Sequence, residues 1–261
     1  MTSAEAARLA GVGPTAIKRW ADSDILKCVR TPGGHRRFER AVVERFLLNA
    51  AGGPGEGHRW DGWIDDLIQD GRAQVLQARL LGERATLGAW HLVAADLGRL
   101  LEELGERWCA CRLTVLEEHL ASARLQRALA GVVESLPLAP TAPRCLLACA
   151  EGDDHTLGLS LVELCLREAG WQCEWAGSRT RLAEIVEGAA SGRIGMVTVS
   201  ASAYSSDADA LESQARALAS ACAIHRVSLV LGGGGAWPDE PAGARRFREL
   251  TPFYEYAVEA R

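Results

Sequence analysis

The sequence lacks any long apolar run. No stretch approaches the roughly 18 consecutive apolar residues that a membrane helix needs, although 48% of the residues are hydrophobic. The opening MTSAEAARLAG also lacks the basic region and unbroken apolar region of a secretory signal. We therefore expect no membrane span and a cytoplasmic location.

Cysteines in paired patterns are likewise absent. The eight cysteines are scattered through apparent helices and strands instead of framing loops, so most are predicted to be reduced and buried. Cys109 and Cys111 have no second pair at the spacing of a zinc site. We expect neither a disulfide framework nor a structural zinc.

Charge is unevenly distributed along the chain. The net charge is −5, but residues 1–50 carry nine Lys and Arg against five Asp and Glu, and the remainder carries 20 against 29. A surface for a polyanion is therefore expected on the N-terminal segment.

Two breaks divide the 261 residues. A glycine-rich stretch predicts a flexible linker at 51–59, and Pro137, Pro140 and Pro143 interrupt the chain again. We predict a multidomain protein with a head at 1–50, a second domain at 60–136 and a third at 144–261.

The head has the pattern of a winged helix-turn-helix. Thr2 to Glu5 form a capping-box pattern, and Pro14 opens a second helix. An apolar run from Ile25 to Arg30 predicts a strand, and the turn at 31–34 predicts a hairpin wing. A third helix is expected from Arg40 to Asn49.

Residues 60–136 predict a bundle of about four helices. Apolar residues recur at steps of three and four, among them Leu87, Trp90, Leu97 and Trp108. Trp108 and His119 are eleven residues apart, about three turns of one continuous helix, so both would face one target with Glu118 beside them. The alternative is that Trp108 is core and the other two are solvated.

Residues from 144 onward predict a doubly wound, flavodoxin-like α/β domain. Short apolar runs alternate with amphipathic helices, which is typical of a parallel sheet covered on both faces. Ligands of such sheets bind at the carboxyl ends of the strands. A shortened fifth strand is suggested at Phe253–Val258.

The loop after the first of these strands carries a candidate metal ligand. Asp153 precedes His155 by two residues and is well placed to hold one imidazole nitrogen so that the other can bind metal. Gly158 would let the next helix approach closely. The alternative is a surface histidine in an acidic turn.

Two further strand ends complete a recognisable pattern. Ser200 and Ser202 follow the third strand, and Gly232 and Gly233 open a run of four glycines after the fourth. The glycines leave room for a flat group, and no P-loop Lys or Ser/Thr follows them. This domain resembles the cobalamin-binding domain of methionine synthase and related mutases. The resemblance implies that His155 displaces the dimethylbenzimidazole base of cobalamin and ligates the cobalt from below, with Asp153 modulating His155. It also implies that the two serines lie near this buried base and that the two glycines line the slot that holds it.

The helical segment resembles the CarH/LitR-type light-responsive regulators, which carry a Trp-x9-Glu-His motif. The resemblance implies that Trp108 covers the adenosyl group of adenosylcobalamin and that Glu118 and His119 contact it. One position departs from the family: a His that follows the Trp there is Cys109 here. An unshifted thiol is mostly protonated near neutrality, so the ligand that the family offers to cobalt after illumination is not matched here.

The wing resembles that of MerR-type regulators, the head found in the same family. The resemblance implies a double-stranded DNA operator as partner, read by the second helix and gripped by the wing. The residues assigned to DNA are Thr15, Lys18, Arg19, Arg30, His35, Arg36 and Arg37. Because no coiled coil pairs the heads, dimerisation or tetramerisation is expected from the cobalamin-loaded body.

These features together predict a regulator and not an enzyme. We expect a cobalamin-dependent, light-responsive repressor that uses adenosylcobalamin, with methylcobalamin as the alternative form. Two other functions stay open: a sensor of cobalamin or another tetrapyrrole that does not respond to light, and a corrinoid carrier for methyl transfer.

Overall fold

The computed structural model describes residues 1–10, 13–22, 26–31, 33–50, 59–69 and 71–261. They form two compact units, Met1–Pro137 and Leu138–Arg261. The division falls in the proline-rich segment predicted as the second linker. Most of the predicted flexible linker, residues 51–58, lies outside the described residues. Among the residues described, no helix has the length and apolarity required to cross a bilayer.

The first unit begins with a winged helix-turn-helix, as predicted. Its elements are α1 (Ser3–Ala10), α2 (Pro14–Asp22), β1 (Val29–Arg30), β2 (Arg36–Arg37) and α3 (Arg40–Ala50). The capping box is present: the Thr2 hydroxyl accepts a hydrogen bond from the Glu5 N–H at 3.2 Å, and the Glu5 carboxylate accepts one from the Thr2 N–H at 2.6 Å. Thr31 closes the wing by donating its N–H to the His35 carbonyl at 2.9 Å.

The strand predicted over Ile25–Arg30 was too long. Within the described part of this run, Leu26–Arg30, only Val29 and Arg30 pair with the second wing strand, and Ile25 lies outside the described residues. Leu26 is buried in the head at 1% exposure, so its apolar side chain contributes to the core of the head and not to a strand ladder.

The predicted four helices follow in the same unit. They are α4 (Arg59–Gln69), α5 (Ala73–Leu87), α6 (Trp90–Cys109) and α7 (Val115–Ser135). The head packs against them within this unit: α3 lies along α5, and Gly13 meets the last turn of α7. A Cβ at Gly13 would lie 2.0 Å from the Ser135 carbonyl oxygen, so the contact admits only glycine. The division into domains at 1–50 and 60–136 stays a prediction.

The second unit is a five-stranded parallel sheet with helices on its faces, which confirms the predicted class. Its elements are β3 (Arg144–Cys149), α8 (Leu157–Glu168), β4 (Gln172–Gly177), α9 (Leu182–Ala190), β5 (Met196–Ser200), α10 (Ala208–His225), β6 (Ser228–Gly232), β7 (Arg245–Phe247) and α11 (Leu250–Glu259). The strand order is β4-β3-β5-β6-β7. Cys149 pairs with Ser200, and Ser200 pairs with Gly232. The three predicted site loops therefore leave one edge of the sheet side by side.

The predicted fifth strand at Phe253–Val258 was wrong. These residues lie in α11, and the fifth strand is β7 at Arg245–Phe247. Phe253 and Ala257 are both buried and are four residues apart, the spacing of one helix face. A short apolar run does not distinguish a strand from a buried helix segment.

The cysteines are all free thiols. Four are buried, all in the second unit, and burial raises the pKa of Cys145 and of Cys149 to about 12. Cys109 and Cys111 are exposed, which departs from the expectation that most cysteines are buried. Cys109 is the last residue of α6, and Cys111 lies in the turn that follows it.

Candidate functional site

His155 and Asp153 form the centre of the site at the carboxyl edge of the sheet. Oδ1 of Asp153 lies 2.8 Å from Nδ1 of His155 and accepts the His155 backbone N–H at 2.9 Å. A carboxylate accepts only, so Nδ1 carries the proton and the lone pair of the neutral ring lies on Nε2. This is the arrangement of a metal-ligating histidine held by an acid.

The Asp153 carboxylate is buried and satisfied on both oxygens. Its second oxygen accepts the Ser202 backbone N–H and the Ser205 hydroxyl, the latter at 2.8 Å. Burial raises the pKa of this carboxyl, but these bonds and those from His155 outweigh it and lower the pKa of Asp153 to about 2. The carboxylate is therefore ionised at neutral pH and is a permanent acceptor for the imidazole.

The predicted serines lie on the same edge. The Ser202 hydroxyl is 3.2 Å from Nδ1 of His155, and Ser200 ends β5 with 8% exposure. A Cβ built on Gly158 would lie 3.7 Å from the Ser200 hydroxyl oxygen. Gly158 thus keeps the first turn of α8 free of a side chain beside Ser200.

The glycine run follows β6 and serves close backbone packing. Gly233 has φ +84°, and a Cβ there would lie 2.1 Å from the Ala201 carbonyl oxygen. Gly235 would place its Cβ 2.5 Å from that of Ala201. Both glycines therefore press this loop against the loop that follows β5, and Gly232 stands at the strand end as predicted.

Three residues that contact the site around His155 were not predicted from the sequence. The Tyr204 ring stacks on the His155 ring, Ser205 bonds Asp153, and Arg246 holds the glycine loop through the carbonyl of Gly235 at 3.0 Å. The first two could have been found from the polar run Ser202 to Ser206 after β5. Arg246 had no such signal, because β7 was not predicted.

The continuous helix predicted from Trp108 to His119 does not exist. α6 ends at Cys109 and α7 begins at Val115. Thr114 starts the new helix with a capping box, in which its hydroxyl accepts the Glu117 N–H and the Glu117 side chain accepts the Thr114 N–H. That capping preference outweighs the apolar periodicity, and the chain turns through Cys111 at φ +55°.

The three motif residues nevertheless lie on the two sides of this helix junction. Trp108 is in the last turn of α6 with 37% exposure, Glu118 is in the first turn of α7, and His119 follows it. The Glu118 carboxylate lies 2.6 Å from Nδ1 of His119 and accepts the Ser122 hydroxyl at 2.6 Å. The side chain of His119 is 73% exposed.

The residues assigned to DNA divide into two groups: exposed residues, and arginines that form an ion pair with Asp22. Thr15 and Lys18 are exposed on α2, and His35 and Arg37 are exposed on the wing. The side chain of Arg19 and the residue Pro32 lie outside the described part of the chain.

Arg30 and Arg36 belong to the second group. Asp22, at the end of α2, binds both of them, and the Arg36 side chain is only 19% exposed. This carboxylate therefore ties α2 to the two strands of the wing. Arg36 has a structural partner in addition to any phosphate it contacts.

Two domain families match this chain. Residues 1–51 match the helix-turn-helix domain, and residues 143–244 match the B12 binding domain. The chain combines a helix-turn-helix domain with a B12 binding domain. The described candidate site, from Asp153 to Gly233, lies inside the second match.

Two curated relatives from Myxococcus xanthus are similar to this chain. The HTH-type transcriptional repressor CarA is 41% identical over 86 residues, which is 33% of this chain and 28% of that protein. The HTH-type transcriptional repressor CarH is 35% identical over 83 residues, 32% of this chain and 27% of that protein. The matched segment thus spans less than a third of either relative.

A solved structure shares the fold. The Methanosarcina barkeri monomethylamine corrinoid protein aligns with a TM-score of 0.55 at 16% identity, covering 84% of this chain and 99% of that chain. At this identity the likeness concerns the fold alone.

The residues of the B12 binding domain fit a corrinoid. The His155 imidazole is held at Nδ1, so its other nitrogen, Nε2, faces away from the acid and is the one that could bind a metal. Gly158 leaves open the space that a side chain would fill beside Ser200. A corrinoid requires a nitrogen ligand for its cobalt and space beside that ligand. The His155 imidazole and the space beside Gly158 meet these two requirements.

Proposed function

We propose that this protein is a cobalamin-dependent, light-responsive transcriptional repressor with a MerR-type head, whose adenosylcobalamin-bound oligomer binds DNA. The observation that carries the proposal is the His155–Asp153 pair in a B12 binding domain, joined to a helix-turn-helix domain in one chain. The similarity to two HTH-type transcriptional repressors supports it. Because the partner is DNA, we place the protein in the cytoplasm, and we assign it no enzymatic activity.

The sheet domain would hold the corrinoid from below. His155 would bind the cobalt through Nε2, because Asp153 holds the other ring nitrogen, Nδ1. The remaining contacts with the cofactor and its buried dimethylbenzimidazole base would come from Gly158, Ser200, Ser202, Gly232 and Gly233. Bound adenosylcobalamin, or methylcobalamin in its place, supplies a cobalt–carbon bond that light breaks.

The residues at the α6–α7 junction would sense the upper ligand. Trp108 is a partly exposed aromatic surface, and Glu118 offers a carboxylate beside His119. We propose that these three side chains contact the adenosyl group and lose this contact when it leaves. A ligand shifts a conformational equilibrium only through such a difference in interaction.

The head would read the operator. In a helix-turn-helix, the second helix enters the major groove, and we assign Thr15, Lys18 and Arg19 of α2 to contacts there. Arg30, Arg36 and Arg37 of the wing would contact phosphates, which position the protein without reading sequence, and His35 would also contact the DNA. Assembly into a dimer or tetramer lets several heads, each binding DNA weakly, bind together with high avidity.

The proposal is tested by following cobalamin and DNA together. The purified chain with adenosylcobalamin is expected to bind operator-containing DNA in the dark and to release it after green light, with a parallel change in the visible spectrum. A chain that does not bind cobalamin, or whose DNA affinity is the same with and without it, would overturn the proposal.

One observation favours a second function, a cobalamin sensor that light does not switch. Cys109, in place of the family's histidine, is an exposed thiol at the end of α6. If no stable ligand replaces the adenosyl group after illumination, DNA affinity depends on cobalamin but not on light. The same experiment distinguishes the two functions by comparing the dark and illuminated samples.

A further inference from the structure

Tyr204 covers one face of the His155 imidazole. The two ring centroids are 5.0 Å apart, and the ring planes differ by 19°. Both values fall within the range of offset aromatic stacking. The His155 ring therefore has two contacts: Asp153 bonds its Nδ1 edge, and Tyr204 packs on one of its faces.

The backbone around Tyr204 is fixed by the same carboxylate that holds His155. The Ser205 hydroxyl donates to Asp153 at 2.8 Å, and the Ser205 N–H donates to the Ser202 carbonyl at 2.9 Å. The Tyr204 N–H donates to the Ser202 hydroxyl at 3.3 Å. The tyrosine is thus presented by a turn that is anchored on Asp153, and not by a freely moving loop.

The hydrogen bond to Asp153 alone does not determine the orientation of the imidazole. It fixes one edge of the ring, while the second side-chain torsion of histidine is intrinsically broad. The side chain of His155 is 57% exposed, so little surrounding packing restricts that torsion. A stacked aromatic ring supplies the missing constraint, because it favours one plane for the imidazole.

We propose that Tyr204 is a positioning residue that sets the plane of the His155 imidazole and so aims Nε2 at the cobalt of a corrinoid. The inference rests on the proposed function in one respect, that His155 is the lower ligand. Cobalt–nitrogen bonding is directional, so a ring already in the binding orientation loses less freedom when the corrinoid arrives. Tyr204 thereby raises corrinoid affinity without touching the metal.

Two substitutions separate stacking from other roles of this side chain. Tyr204→Phe keeps the aromatic face, and Tyr204→Ala removes it. Tyr204 is 58% exposed, so both variants of the full chain are expected to fold. The first measurement uses the protein without cofactor: the ring protons of His155 are followed by NMR, because a stacked aromatic ring shifts them upfield. We expect the shift in the wild type and in Tyr204→Phe, and its loss in Tyr204→Ala.

The second measurement titrates the same three proteins with cobinamide, a corrinoid that lacks its own lower base. Any axial nitrogen seen in the visible spectrum then comes from the protein. We expect Tyr204→Ala to bind about threefold more weakly, within the range that one aromatic pair accounts for, and Tyr204→Phe to match the wild type.

The outcomes distinguish this inference from the proposed function. If the wild type ligates cobinamide and Tyr204→Ala matches it in affinity and in the His155 shifts, Tyr204 does not position the ring and the proposed function stands. If Tyr204→Phe behaves like Tyr204→Ala, the hydroxyl acts and stacking is refuted. If the wild type shows no axial nitrogen, both ideas fail, whatever the NMR shifts show.

Discussion

Asp153 accepts both the ring Nδ1–H and the backbone N–H of His155 through a single oxygen, at 2.8 and 2.9 Å. One atom therefore holds both the backbone and the side chain of the candidate cobalt ligand. Although the carboxylate is buried, its hydrogen bonds lower its pKa to about 2, so it remains charged at any physiological pH. The loop after β3 thus holds Nδ1 and leaves Nε2 as the ring nitrogen that a metal would meet.

Removing the imidazole is expected to remove the axial nitrogen. His155→Ala should weaken cobalamin binding by at least about tenfold, because losing merely the partner of a metal-ligating histidine already costs that much. The measurement is a titration followed by the visible spectrum. His225→Ala, at the exposed end of α10, is the matched control and should bind like the wild type. Equal affinity and an unaltered spectrum in His155→Ala would contradict the assignment.

The low pKa of Asp153 predicts a pH-dependent contribution to stability. Its folded value of about 2 lies below the value of about 3.9 in an unfolded chain. The ionised group therefore stabilises the folded state above about pH 4, and this contribution is lost as the pH falls from about 4 to about 2. The free energy of unfolding of the wild type should exceed that of Asp153→Asn most at pH 6, and the gap should narrow in acid. A gap independent of pH would show that the carboxylate charge plays no part.

The glycine loop offers a test of close backbone packing. Gly233→Ala must place a Cβ 2.1 Å from the Ala201 carbonyl oxygen and also adopt a positive φ. Gly192→Ala shares the positive φ of +71° but meets nothing within 4 Å. The control should lose about 1 kcal/mol of stability from backbone strain, and Gly233→Ala should lose at least about 2 kcal/mol. Urea unfolding of both variants measures the difference, and equal losses would refute the steric argument.

The wing predicts a salt-dependent contribution to DNA binding. Arg37 is exposed, so Arg37→Ala should weaken binding to all sequences about equally and lower the slope of log K against log salt by about one. The assay is DNA binding at several salt concentrations. Arg216→Ala, on the exposed side of α10, should leave the slope unchanged. A loss confined to one sequence would instead mean that Arg37 reads bases.

The bundle shows where local sequence reasoning fails. Periodicity correctly predicted four helices, but it joined α6 and α7 through Trp108 and His119, although Thr114 and Glu117 form a capping box between them. The capping signal lies in the sequence and could have been read. At the end of the chain, Phe253 and Ala257 lacked such a signal, since a short apolar run suits either a strand or a helix.

Local sequence was enough to predict most of the elements and the pairing of His155 with Asp153. Helix starts, turns and apolar strands depend on residues close in the chain, so Pro14, Thr2 and the Asp153–His155 spacing were readable directly. Three contacts are visible in the folded protein alone: Tyr204 stacks on His155, Arg246 holds the glycine loop, and Gly13 meets Ser135. These contacts join residues from different elements, and local propensity carries no information about which distant surfaces will pack together.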